Sequence, residues 1–292
     1  MKLTHTRSVL MVMVPYALSM FTSSSQTWTL TSAPTNQWTA LASSADGTRL
    51  IAAADTSGIY TSTNGGIDWT SNSLPLDLWW AVASSADGLK LAAAANFGGI
   101  YVSTNGGLDW ELTSAPIVRD WQSLASSADG NRLIAGSGSS LYTSPDGGTM
   151  WLSNAFLSGN IYSVACSADG EKLIGALQDY WSHGTIFTST NFGDTWLSNN
   201  LPDELWTSAA SSSDGTKLIC SHNISRGFGG VYVSTDFGAT WTTNYSTRGS
   251  WRAVASSADG KFAAVGRRGV YTSSDSGATW VSNSIPNLDY DL

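Results

Sequence analysis

The sequence predicts an all-β fold: a six-bladed β-propeller of four-stranded antiparallel blades. Three observations predict it. A turn closed by tryptophan returns six times, at Trp69, Trp110, Trp151, Trp196, Trp241 and Trp280, with spacings of 41, 41, 45, 45 and 39 residues. A period near forty marks a repeat architecture, in which each unit buries its faces against its neighbours. A second turn, Ser-Ala-Asp-Gly or a close variant, recurs in phase at Asp46, Asp87, Asp129, Asp169, Asp214 and Asp259. Charged residues make up only 12% of the chain, and Ser, Thr, Asn and Gly stand in their place, a bias toward short strands and tight turns.

Residues 79–115 show the four strands of one unit. Trp79 to Ser84 (WWAVAS) is a short apolar strand, and Ala86-Asp87-Gly88 turns the chain. Lys90 to Ala95 (KLAAAA) is the second strand, broken by Phe97-Gly98-Gly99, and Ile100 to Ser103 (IYVS) is the third. The signature turn follows, and Trp110 opens a fourth strand that ends at Ala115-Pro116. Proline cannot donate to a ladder, so it suits a strand end; Pro34, Pro75, Pro202 and Pro286 hold the equivalent place. Four short strands per forty residues, joined by Gly-rich turns, describe a propeller blade. The Asp of each first turn hydrogen-bonds its own backbone, and Gly takes a positive φ cheaply. That role accounts for all six acidic residues without catalysis.

Five aromatic residues open first strands, Trp38, Trp79, Trp121, Trp206 and Trp251, with Ile161 in the remaining unit. A large aromatic at one position per blade is expected as blade-to-blade core, although an exposed indole is also a platform for a sugar ring. Trp80 and Trp181 fall outside these classes. Trp28 starts a strand like those of the signature turns but has no turn before it, so it competes with Trp280 for closure of the ring. A seven-bladed alternative needs three further strands beside Trp28.

The chain has 292 residues, and a net charge of −8 without basic runs beyond Arg267-Arg268 excludes a nucleic-acid backbone as partner. Met1 to Arg7 are basic, Ser8 to Phe21 almost wholly apolar, and Thr22 to Ser25 small. The expectation is a cleaved export signal over residues 1–25, with an uncleaved anchor as alternative, then a single propeller domain over 26–292 in a secreted or extracytoplasmic protein. After signal removal no transmembrane span is expected. Cys166 and Cys220 are either a disulfide of an exported protein or two small core residues. Asn223 and Asn244 stand in glycosylation sequons.

The second signature reads STNGGIDW, STNGGLDW, SPDGGTMW, STNFGDTW, STDFGATW and SSDSGATW. It resembles the Asp-box, or BNR repeat, Ser/Thr-x-Asp-x-Gly-x-x-Trp, over roughly residues 27–285. The Asp position holds Asn64, Asn105, Asp146, Asn191, Asp236 and Asp275. The resemblance implies a β-propeller whose boxes are structural turns between third and fourth strands. It is shared with sialidases, xyloglucan-cleaving glycosidases, sortilin-like sorting receptors and a seven-bladed photosystem II assembly factor, so it does not select a function. The sialidase pattern requires three carboxylate-clamping arginines and a Phe/Tyr-Arg-Ile-Pro segment. That segment is absent, and Arg119, Arg226, Arg248, Arg267 and Arg268 lack the context.

Both turn sets fall on one face, nearly identical from blade to blade. The links between strands two and three, and between blades, fall on the other face and vary. Variable loops on a rigid scaffold are where binding is expected. Insertions in blades four and five, residues 177–184 and 221–228, bring together the ligand-binding candidates Tyr180, Trp181, His183, His222 and Arg226, with Arg267 and Arg268 on the same face. Asp77, Asp120, Asp179, Asp203 and Glu204 also lie there, so a glycosidase carboxylate pair remains an alternative. No catalytic residue, metal or cofactor is assigned; the histidines have no ligand-spaced partners. The function expected is non-enzymatic binding of a protein or glycan. A small glycoside hydrolase is the alternative, and an assembly or scaffold factor the second.

Overall fold

The computed structural model describes residues 31–75, 77–117, 120–138, 140–154, 159–178, 184–223, 229–249, 251–266 and 269–283. Among these residues the fold is all-β and forms six four-stranded antiparallel sheets, the blades of a β-propeller. Blade one holds β1 (Trp38–Ser43), β2 (Leu50–Ala54), β3 (Gly58–Ser62) and β4 (Thr70–Ser71). Blade two holds β5 (Leu78–Ser84), β6 (Leu91–Asn96), β7 (Ile100–Ser103) and β8 (Glu111–Leu112). Blade three holds β9 (Ser123–Ser126), β10 (Leu133–Gly136), β11 (Leu141–Ser144) and β12 (Leu152–Asn154). Blade four holds β13 (Asn160–Cys166), β14 (Leu173–Gln178), β15 (Gly184–Ser189) and β16 (Leu197–Ser198). Blade five holds β17 (Leu205–Ser211), β18 (Leu218–Asn223), β19 (Gly229–Ser234) and β20 (Thr242–Gly249). Blade six holds β21 (Trp251–Ser256), β22 (Phe262–Gly266), β23 (Gly269–Ser273) and β24 (Val281–Asn283).

The core lies between blades. Each opening residue inserts against the sheet of the blade before it: Trp79 against Ile51, Ala53 and Ile59, Trp121 against Ala94 and Ile100, Ile161 against Ile134 and Leu141. Trp206 meets Ile174, Ala176 and Ile186, and Trp251 meets Ile219 and Val231. All five are buried. Their burial agrees with the blade-to-blade core expected from the repeat and leaves none of these four indoles as a sugar platform. In five blades the register slips just after this residue, as between Trp79 and Ala81. Trp80 is the extra residue of that bulge in blade two, which accounts for its standing outside the repeat. At the same place Thr39 donates to the carbonyl of Trp79 (2.6 Å) and Thr207 to that of Trp251 (3.2 Å), so the bulge ties one blade to the next.

The turns obey the expected chemistry. The Oδ1 atoms of Asp46, Asp87, Asp129, Asp169, Asp214 and Asp259 accept from the Ser hydroxyl two residues earlier at 2.5–2.6 Å. In each signature turn a Ser hydroxyl bonds the Asn or Asp, and the Trp indole donates to the Gly carbonyl three residues back at 2.9–3.2 Å. In five of these turns the Asn or Asp side chain also bonds the side chain of the residue four positions on. Asn64 and Asn105 donate their amides to the carboxylates of Asp68 and Asp109 (2.8 Å each). Asp236 and Asp275 accept instead from the hydroxyls of Thr240 (2.6 Å) and Thr279 (2.5 Å). Asn105→Asp therefore sets two carboxylates together at an exposed site. It should cost about 0.5–1 kcal/mol, and Asp109→Thr in the same chain should recover most of it; urea denaturation of the single and double variants measures the coupling.

Cys166 and Cys220 are free thiols. Burial pushes the Cys166 thiol up to about 12 and that of Cys220 well above its ordinary value, which keeps both protonated and unreactive. Cys220, fully buried, should take up a maleimide only when the chain unfolds; labelling under native conditions, read by intact mass, would contradict this burial.

Candidate functional site

Hydrogen bonds between the two turn sets confirm that they share a face. Gly65 N–H donates to the Thr48 carbonyl, Gly106 to Leu89 and Gly147 to Asn131 within their blades. On the axis this face opens into a hollow of about 200 Å³ walled by small residues, among them Ser43, Ser84, Ser126, Cys166, Ser211 and Ser256, one from each blade. Its acidic groups are spent in turns. The Ser hydroxyls, then backbone N–H groups, hold Asp46 and Asp214 at about 2, and Ser257 and Lys261 do the same for Asp259. Such carboxylates stay ionised and are poor proton donors near neutral pH.

The opposite face carries the links between second and third strands. The longest third strands are β15 and β19, six residues each, so blades four and five project furthest here. At their junction Asp203 accepts from the backbone N–H of Gly184 at 2.7 Å. A Cβ on Gly184 would lie 2.1 Å from the Glu204 carbonyl and 2.7 Å from the Trp206 ring, so only glycine lets β15 pass under the start of blade five.

His222 lies within β18, paired to Trp206 on one side and Gly230 on the other. Its ring is buried, 5.5 Å from the Trp206 ring centroid and 5.6 Å from that of Tyr232. Gly230 leaves the space, since a Cβ there would stand 2.7 Å from Nε2. Burial lowers the His222 pKa to about 4. The imidazole is therefore neutral at pH 7, and its 3.5 Å approach to the Glu204 carboxylate is no ion pair under those conditions. Burial first, then the charge of Asp203, raises the Glu204 pKa. A partly exposed carboxyl of raised pKa beside a neutral imidazole can hold or accept a proton.

Of the residues singled out from sequence, Tyr180, Trp181, His183, Arg226, Arg267 and Arg268 lie outside the described residues, as do Asp179 and Arg119. His222 sits in the sheet rather than in the inserted loop, and a strand reading extended by three residues would have found it. Asn223 ends β18 and is half-buried, and Asn244 lies in β20. Asp77 bonds the backbone N–H of Leu78 at 2.7 Å. Asp120, at φ 68°, donates its N–H to the side chain of Asn96 at 2.8 Å. The sequence offers Glu204 only as one carboxylate among several; its approach to His222 depends on strand register, which the spacing of residues does not reveal. Among the described residues no group of His, Cys, Asp and Glu is arranged to hold a metal, and no helix is long and apolar enough to cross a membrane.

No protein-family description matches this sequence, and no curated protein matches it. Solved structures do. The GH74 enzyme of Niastella koreensis superposes with a TM-score of 0.69 at 17% identity, over 83% of this chain and 46% of that one. The GH74 xyloglucanase of Xanthomonas campestris gives 0.66 at 17%, over 80% and 44%. YCF48 bound to D1 peptide gives 0.63 at 15%, over 84% and 80%. The chain thus spans less than half the length of the two GH74 structures. At such identities the likeness concerns architecture alone: the chain is similar in fold to these propellers.

Proposed function

We propose that this chain is a non-enzymatic propeller of Asp-box type that binds an extended protein segment or a glycan on its variable face, at the junction of blades four and five. The observation that carries the reading is the contrast between the faces. On one, the recurring acidic and hydroxyl groups bond one another in every blade. On the other, Asp203, Glu204, His222 and the projecting ends of β15 and β19 gather at a single junction. The D1 peptide held by the YCF48 structure supports a peptide as the ligand class, and the GH74 likeness supports a glycan. Peptide and glycan arrays test the proposal. Tyr180→Ala with Trp181→Ala should weaken whatever the wild type binds by about tenfold or more, the scale of an aromatic anchor; unchanged binding dismisses the site.

One observation favours a second reading, a small glycoside hydrolase: Glu204 has the raised pKa that a general acid needs. A reducing-sugar assay on xyloglucan and other β-glucans separates the two. Steady release of sugar ends by the wild type, lost in Glu204→Gln, establishes hydrolysis and sinks the binding-only reading.

A further inference from the structure

Every junction between successive blades repeats the same contacts, and they stop between blade six and blade one. On the axis the N–H of Ala45 donates to the Ala86 carbonyl, Ala86 to Ala128, Ala128 to Ala168, Ala168 to Ser213 and Ser213 to Ala258, at 2.7–3.0 Å. Among the described residues this relay does not run on from Ala258 to Ala45. Basic side chains cross the junctions in the same direction: Lys90 to Asn131 (2.6 Å), Arg132 to the Asp169 carbonyl (2.8 Å), Lys172 to that of Asp214 (2.8 Å) and Lys217 to that of Asp259 (2.7 Å). The equivalent of blade six, Lys261, turns back onto Asp259 of its own blade at 2.9 Å.

The two walls left facing each other are apolar and incompletely covered. Ile51, Ala92, Ile134, Ile174 and Ile219 are covered by the next blade and all but fully buried, whereas the equivalent Ala263 is half-buried, as is Val265 two residues on. Trp38 is half-buried where its counterparts in blades two, three, five and six are buried.

The signature-turn glycines record what stands beside each blade. Gly107 faces Asn72 and Thr61, Gly193 faces Asn154 and Thr143, and Gly238 faces Asn199 and Thr188. In each case these are a residue at the end of, or just after, the fourth strand and a third-strand residue of the preceding blade. Gly66 of blade one faces Thr31 instead, together with Leu50 and Trp69 of its own blade. Ser32 donates to the Ile67 carbonyl as Ser114 does to that of Thr149. Thr31 and Ser32 thus hold the place of the end of a fourth strand. That strand cannot belong to blade six, because β24 already fills its fourth position, with Asn283 bonded to Thr272 at 2.9 Å.

We propose that the cleft between blades six and one is filled by this chain's own amino-terminal segment, residues 6–31, as the second, third and fourth strands of a degenerate seventh blade. The residues fit in order. Trp28 to Pro34 (WTLTSAP) match Trp110 to Pro116 (WELTSAP) at six of seven positions. Met20-Phe21-Thr22-Ser23 parallel Val270-Tyr271-Thr272-Ser273. Thr6-Arg7 precede an apolar run as Thr48-Arg49 and Thr216-Lys217 do. Pro15 falls in the link between strands two and three, where no ladder hydrogen bond is required. At the other end Tyr290 follows Pro286 by four residues, as Trp79 follows Pro75, and marks where a first strand begins. The turn before Trp28 is two residues short and lacks glycine, which is why the repeat is not visible there.

This assignment and the export-signal reading make opposite demands on residues 1–25, since cleavage after Ser25 removes strands two and three. The test is hydrogen exchange and intact mass on the full chain, independent of any ligand. With residue 1 or 2 at its amino terminus, the protein should protect the amides of Ala263 to Val265 and Thr39 to Leu41. Phe21→Asp and Val12→Asp should each raise exchange there about tenfold or more while leaving β10 and β14 unchanged. Deletion of residues 1–27 should do the same, and a synthetic peptide of residues 4–34 should restore protection. Should the deletion fail to fold, the two point variants decide. Unchanged exchange in both, or a mature protein from its own host that begins near residue 26, overturns the proposal.

Discussion

Trp206→Ala should lower the unfolding free energy by about 3–5 kcal/mol. The indole is fully buried between blades four and five among Ile174, Ala176, Ile186 and Leu218, and it meets the Tyr232 ring edge-on at 5.3 Å. Truncation leaves a cavity walled by two sheets whose strands are fixed by their ladders, so the site cannot collapse around alanine. The indole N–H is buried without a partner among the described residues. Trp206→Phe, which removes that uncompensated donor while keeping an aromatic ring, should therefore cost markedly less than alanine. Urea denaturation of the three proteins provides the check. Equal losses for Phe and Ala would show that the indole is held by something other than packing.

Stability should also fall between about pH 6.5 and pH 4 because of His222. The folded pKa is about 4 and lies below the ordinary value because the ring is buried. As pH drops through 6.5 the unfolded chain takes up the proton first, so the native state loses ground until the pH reaches the folded value. The total for this group is on the order of 3 kcal/mol, at about 1.4 kcal/mol per pH unit of difference. Glu204 acts in the opposite direction: its raised pKa means the native carboxyl is protonated before the unfolded one, which offsets part of the loss. The turn carboxylates enter only lower. Asp46, Asp214, Asp259 and Asp275 are held at about 2, so their contribution is complete above about pH 4 and fades as the pH falls toward 2. Urea midpoints at pH 7, 5.5 and 4.5 should decline for the wild type and stay nearly level for His222→Gln. A wild-type curve that is flat over this range would show that the imidazole is not buried in solution.

Much of the fold was legible without coordinates. In the template blade, strands expected at 79–84, 90–95 and 100–103 are found within a residue as β5, β6 and β7. The fourth strand, expected from Trp110, shrinks to Glu111–Leu112, because an outermost strand has one ladder partner and one open edge. Trp80 could not be read from the sequence because a bulge is a property of strand pairing, set by how two backbones meet. The candidate site was less legible. The insertions of blades four and five stood out as breaks in the period, but nothing in their composition revealed that His222 belongs to the sheet, or that Glu204 would come to stand beside it.

The sequence by itself determined the repeat, the turns and the six blades that carry both turns, because Asp-Gly turns, signature turns and alternating apolar strands are local features written out in each unit. It also determined which face varies, since antiparallel connection sends alternate turns to opposite ends. The tertiary structure decided what depends on neighbours. It buried the opening tryptophans of blades two, three, five and six but only half of Trp38, neutralised His222 by burial, left two cysteines as separate thiols, and set Thr31 rather than Asn283 beside Gly66. Those outcomes rest on the angle between successive blades and on which surfaces it brings into contact, and neither is encoded within a single repeat.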